Sequence, residues 1–133
     1  MIQSHPNLDL VNRFFQAYAT NDQESIKEIL SPDIRWVIPG KHPLSGVKVG
    51  VAEVMTYFSQ LGKAAFQASP IVMGVNDQYV IDCHENWTTR SELANFNGMS
   101  CLLWKIKEGK IIEVYNFPED QHKVDEFFRA VYS

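Results

Sequence analysis

The chain has 133 residues, of which 45% are hydrophobic and 12% aromatic, and carries a formal net charge of −4. That length suits one domain, residues 1–133, able to bury roughly two thirds of its unfolded surface. The acidic balance argues against nucleic acid, which demands a basic face. No apolar run reaches the roughly 18 residues that suggest a membrane span, and MIQSHPNLDLV lacks the basic and long apolar stretches of a secretory signal. Two cysteines, Cys83 and Cys101, are too few for a disulfide scaffold and lack metal-ligand spacing. They read as thiols of a cytoplasmic protein, with no metal or cofactor expected.

In chain order, Leu8, Val11, Phe15 and Tyr18 form one apolar stripe of a helix that Asn7 can cap. Asn21-Asp22 opens a second, shorter helix carrying Ile26, Ile29 and Leu30, which Ser31-Pro32 stops. Residues 34–38 read as a short strand. The stretch WVIPGKHPLSGVKVG, from Trp36 to Gly50, is a corner dense in proline and glycine. After it, Val51, Val54, Met55, Phe58 and Leu61 mark a third helix that Gly62 closes. Four strands are then expected over 66–75, 78–90, 97–107 and 110–117, with turns at Asn76-Asp77 and Glu108-Gly109. Val124, Phe127, Phe128 and Val131 form a last amphipathic helix. The order ααβ-α-ββββ-α is α+β.

That order, with D-x-x-W-x-x-P-G-x-x-P-L-S-G-x-x-x-G-x-x-x-V-x-x-x-F (Asp33 through Phe58) and W-K-I-K-E-G-K-I-I-E-V (Trp104 through Val114), resembles the SnoaL-like proteins. These belong to the nuclear-transport-factor-2-like superfamily, beside ketosteroid isomerases and limonene-epoxide hydrolases. The resemblance implies a cone-shaped, curved sheet of mixed or antiparallel strands wrapped around three helices, a cystatin-like α+β barrel with a C-terminal helix. It also implies a pocket at the open end, rimmed in part by the corner, and a homodimer through the outer sheet face.

The same resemblance tests particular chemistries. His84 and Asn86 fall where the epoxide hydrolases carry an arginine and a carboxylate, and Asn116 where their second carboxylate lies. Amides transfer no protons at neutral pH, so that route is not expected. The isomerase base, acid and tyrosine fall near Ile38, Leu102 and Phe14, all apolar here. Some SnoaL-like cyclases use an acidic residue near the final strand, which makes Asp120 a second candidate proton donor.

Alternation along the strand over 78–90 puts Asp82, His84, Asn86 and Thr88 on one face, and Cys83, Glu85 and Trp87 on the other. His84 is the candidate acid–base residue. Asn86 and Asn116 are candidate ligand-binding residues, with Tyr18, Trp36, Phe58, Leu102 and Trp104 as walls. His42, on the corner, is expected in solvent. Two functions stay open. One is a non-catalytic module whose pocket binds a small hydrophobic molecule, favoured by the scarcity of carboxylates on the inner face. The other is an isomerase- or cyclase-type enzyme acting on a small polyketide- or steroid-like carbonyl compound through His84.

Overall fold

The computed structural model describes residues 5–90 and 95–132. Helix α1 (Pro6–Ala19) starts two residues earlier than its apolar stripe, because the cap is His5 rather than Asn7. His5 Nδ1 accepts from the Asn7 N–H at 3.1 Å, and Pro6 presets φ in the first turn. Helix α2 (Gln23–Ile29) is capped by Asp22, whose carboxylate accepts from the Ser25 N–H at 3.2 Å. Strand β1 (Leu30–Ile38) begins directly after it and is longer than residues 34–38. Pro32 lies inside it, and the pairing of β1 with β6 shifts register between Leu30 and Arg35. A proline cannot donate to a ladder, so the strand must yield there.

The corner holds a strand that the sequence does not announce. Strand β2 (Gly46–Val49) folds back on β1 as an antiparallel pair, with Arg35 opposite Val49 and Ile38 opposite Gly46. Its four residues are mostly exposed, so they carry no alternating burial signal. Helix α3 (Gly50–Lys63) then leads into the meander β3 (Gln67–Val75), β4 (Tyr79–Trp87), β5 (Asn97–Lys107) and β6 (Lys110–Pro118), and helix α4 (Gln121–Tyr132) ends the fold. Strand order is β2-β1-β6-β5-β4-β3, with β1 and β6 parallel and every other pair antiparallel. The result is a mixed α+β fold: a curved, unclosed sheet of six strands over its helices. Register shifts in β1–β6, β3–β4 and β5–β6 bend the strands where the sheet must curve. No helix among the described residues is long and apolar enough to cross a membrane.

Alternation decides what each strand buries. Val80, Asp82 and His84 of β4 are buried, while Ile81 and Glu85 face outward. Ser100, Leu102, Trp104 and Ile106 of β5 repeat the pattern. The core under these strands is aromatic: Trp104 packs on Phe14 at 4.9 Å and on Trp36 at 5.5 Å between ring centroids. Burying each such ring contributes about 1.5–3 kcal/mol, and edge-to-face contact adds roughly 0.5–1.5 kcal/mol more.

The corner docks on α4. Gly40 has φ +93°, and a Cβ there would lie 2.2 Å from both Asp125 Oδ1 and Gln121 Nε2. Those atoms are not free to move aside. Asp125 Oδ1 accepts from the Lys41 N–H (3.1 Å) and from the Gln121 amide (2.9 Å), and Arg129 Nε donates to the Lys41 carbonyl (2.9 Å). His42 is half-buried rather than in solvent, its ring 4.5 Å from that of Phe128, and burial lowers its pKa.

Gly40→Ala should therefore destabilise by about 2–3 kcal/mol, from the left-handed φ plus a broken hydrogen-bond joint. Gly109→Ala, also at positive φ (+75°) but with nothing within 4 Å of a Cβ, should cost about 1 kcal/mol. Urea midpoints compare the two. Burial pushes the Asp125 pKa up, but the Gln121 amide, the Lys41 N–H and the His42 and Arg129 charges outweigh it, holding it below the ordinary 3.8. A depressed carboxyl stabilises the fold above its unfolded pKa and loses that stabilisation as pH falls through its folded value. Between pH 5 and pH 3 the wild type should lose more thermal stability than Asp125→Asn, measured by circular dichroism.

Candidate functional site

Asp82 and His84 are successive inward positions of β4, close enough for side chains of their length to meet. Asp82 Oδ2 lies 2.6 Å from His84 Nδ1. The other carboxylate oxygen, Oδ1, accepts from the Trp104 indole N–H at 2.5 Å. Asp82 is 1% exposed and His84 4%. An ionised carboxylate is costly to bury unless its lone pairs are satisfied, and here each oxygen has an N–H facing it. A carboxylate oxygen at Nδ1 favours a proton on that nitrogen. Among the described residues Nε2 has no hydrogen-bond partner. Phe15 packs edge-on against the ring at 5.5 Å and fixes its plane.

His84 forms part of the wall of a cavity of about 80 Å³. Tyr18, Trp36, Phe58, Asn86, Leu102 and Asn116 line the same cavity, with Phe14, Tyr57, Phe66 and Ser100 among the others. An adjoining space of about 70 Å³ shares Tyr57, Leu61, Phe66, Asn86, Ser100 and Asn116 with it and runs to Val124 and Phe128 of α4. Toward solvent, Tyr18, Phe58, Phe66 and Gln67 belong both to the cavity and to a surface cleft, and so form its mouth.

The polar groups on this wall are unequally satisfied. Asn86 Nδ2 donates to Ser100 Oγ at 3.0 Å. Asn116 Oδ1 is buried with no partner among the described residues. The Tyr18 hydroxyl donates to the Phe66 carbonyl at 3.3 Å, and burial, aided by Tyr132, pushes its pKa up to about 12. It stays protonated, turned to the backbone at the mouth.

Several expectations need correction. His84, Asn86 and Asn116 line the same cavity, where His84 Nδ1 meets Asp82, Asn86 Nδ2 meets Ser100, and Asn116 Oδ1 has no partner among the described residues. Trp104 is not on the wall; at 0% exposure it lies behind it and holds Asp82. Asp120 is exposed and caps α4, accepting from the Lys123 N–H at 3.1 Å, away from the cavity. The corner does not rim the cavity beyond Trp36, because its turns are committed to α4. The inner face is also not short of a carboxylate where it matters. Asp82 is the residue missing from the expected site, and its signal is alternation: two residues before His84, on the same face. Ser100 and Tyr57 were reachable only through cross-strand register and helix packing.

Residues 11–114 match the SnoaL-like domain family, and the chain belongs to it. An uncharacterized protein of Mycobacterium tuberculosis is 27% identical over 126 residues, covering 92% of this chain and 95% of that one. Among solved structures, Bal32a from a soil-derived mobile gene cassette superposes with a TM-score of 0.88 at 23% identity, over 93% of this chain and 97% of its own. A Xanthomonas campestris protein of cystatin-like fold does so with a TM-score of 0.82 at 26% identity, over 91% and 96%. SnoaL-like membership accounts for the fold; the chemistry rests on the side chains described above.

Trp104→Phe keeps an aromatic ring but removes the donor to Asp82 Oδ1, and should destabilise by about 1–3 kcal/mol. In Asp82→Asn the partner is already altered, so adding Trp104→Phe should cost measurably less than it does alone. A double-mutant cycle in urea reads that coupling.

Proposed function

We propose that this chain is a small-molecule acid–base enzyme of the isomerase or cyclase kind, with His84 as the proton-transfer residue. The observation that carries the reading is the 2.6 Å contact between Asp82 and His84 Nδ1 on the wall of an apolar cavity. Asp82 holds the tautomer and stabilises the imidazolium that forms when Nε2 takes a proton; Trp104 positions Asp82. Ile38, Leu102 and Phe14 are buried and apolar, so the β4 pair is the base within reach of the cavity. As substrate proton leaves carbon, negative charge develops on a neighbouring oxygen. Ser100 Oγ already accepts from Asn86, which leaves its hydroxyl proton for that oxygen. Among the described residues Asn116 Oδ1 has no donor, and a substrate hydroxyl or enol would supply one.

Size narrows the substrate. The cavity and its neighbour, about 80 and 70 Å³, hold a flat molecule of one or two rings rather than a tetracyclic steroid. The walls are largely aromatic and the polar groups few, so the substrate is a mostly apolar carbonyl compound that enolises.

The test uses small aryl ketones and 1,3-dicarbonyl compounds in deuterated buffer, following α-proton exchange by NMR. The wild type should accelerate exchange of at least one of them. His84→Gln should abolish the acceleration while leaving ligand-induced shifts within about tenfold in affinity, and Asp82→Asn should lower it by about 10²–10⁴-fold. Binding without exchange, or exchange undiminished in His84→Gln, would overturn the proposal.

We also propose that a second copy of the chain covers the outer sheet face. Val72 (62% exposed), Phe117 (55%), Ile81 (49%) and Met99 (41%) stand out on it. An apolar face of that kind marks an interface, and two-fold pairing is the commonest solution. Light scattering should give twice the 15.2 kDa chain mass for the wild type and the single-chain mass for Phe117→Lys.

A further inference from the structure

Cys83 and Cys101 stand directly opposite each other on β4 and β5. The register of this strand pair has no shift between Tyr79 and Trp87, so its hydrogen-bonding phase can be followed from the ends. At one end the Thr88 N–H donates to the Phe96 carbonyl at 3.0 Å; at the other the Ile106 N–H donates to the Gln78 carbonyl at 2.8 Å. Opposed pairs in an antiparallel ladder alternate between hydrogen-bonded and non-hydrogen-bonded. Residues 78 and 88 are both hydrogen-bonded, so the even-numbered positions of β4 are, and Cys83 falls in a non-hydrogen-bonded pair. Such pairs bring their Cα atoms to about 4.5 Å, at the near edge of the roughly 4.4–6.8 Å that a disulfide spans.

Burial and the neighbouring Cys83 thiol raise the Cys101 pKa. Both residues are partly exposed. Val72 lies opposite Cys83 on β3 and Phe117 opposite Cys101 on β6, so an apolar row brackets the pair. Among the described residues no group of three His, Cys, Asp or Glu side chains surrounds it that would make a metal site.

We propose that Cys83 and Cys101 are a modification site, which small-molecule disulfides convert to an intrachain disulfide across β4 and β5. The thiolate of one cysteine attacks the small disulfide, forming a mixed disulfide and releasing one small thiolate. The other cysteine, deprotonated in turn, attacks the protein sulfur of that mixed disulfide and releases the second. The two protein thiols are oxidised to one disulfide, the small disulfide is reduced to two thiols, and the two cysteine protons end on the leaving thiolates. The pair lies on the face that a second copy is proposed to cover, so the exchange takes place on the single chain, where a bond at the short end of the accessible span is readily reduced again. It sits between Asp82 and His84 in sequence, and so ties β5 to the segment of β4 that carries both.

The test treats the fully reduced chain, at low concentration, with excess oxidised glutathione. Both thiols should vanish from a thiol titration, with a mass loss of two hydrogens and no glutathione adduct. Digestion should yield one cross-linked peptide pair joining Cys83 to Cys101, lost on adding dithiothreitol. Cys83→Ser and Cys101→Ser should each instead retain a single glutathione. Thiols that stay titratable, a wild type carrying two glutathiones, or a bond between chains would each overturn the proposal.

Discussion

The rest of the site depends on one buried carboxyl group. Asp82 has no contact with solvent to speak of, and its burial is tolerable because His84 Nδ1 and the Trp104 indole N–H each face one of its oxygens. That requirement reaches outward. Trp104 must be on the strand beside Asp82, one register step from the residue opposite it, since Leu102 pairs with Asp82 and Trp104 with Val80. Trp104 in turn is held by Phe14 and Trp36, so α1 and β1 are tied to the orientation of an imidazole on β4.

A second buried carboxylate does comparable work at the far side. Asp125 joins α4 to the corner through the Lys41 N–H, and its approach is possible because residue 40 has no side chain. This joint seats α4 so that Val124 and Phe128 close the inner space beyond Asn86 and Asn116. The proline- and glycine-rich corner is thus a latch for the last helix. Its φ values at Gly40, Gly46 and Gly50 (+93°, +119° and +87°) serve that latch and the β1–β2 hairpin.

A cone lined by aromatic rings would close most simply around leucines. Here the strands keep the imidazole of His84, the amides of Asn86 and Asn116 and the hydroxyl of Ser100 on the wall, and one amide oxygen has no partner among the described residues. Leaving such a group unpaired costs about 1–3 kcal/mol, which a ligand hydroxyl can recover. The dyad and the orphan amide therefore lie on the wall of one cavity.

The sequence by itself determined the α+β class, the order of its helices and long strands, and the sidedness of β4 and β5. These follow from short-range periodicity: period two sorts Asp82 and His84 from Cys83 and Glu85 without any knowledge of what lies opposite. The resemblance carried by residues 33–58 and 104–114 was enough for the family. Periodicity does not say which inward residues touch. Asp82 meets His84 along a single strand, but the retreat of Trp104 from the wall to hold that carboxylate and the engagement of Asn86 by Ser100 depend on cross-strand register. Strand β2 lacked a signal because its side chains are mostly exposed, and Asp120 misled because a helix cap and a proton donor use the same residue type. Only the tertiary structure decided the contacts of Trp104 and Ser100, because hydrogen bonds of a few ångströms there join residues that lie far apart along the chain.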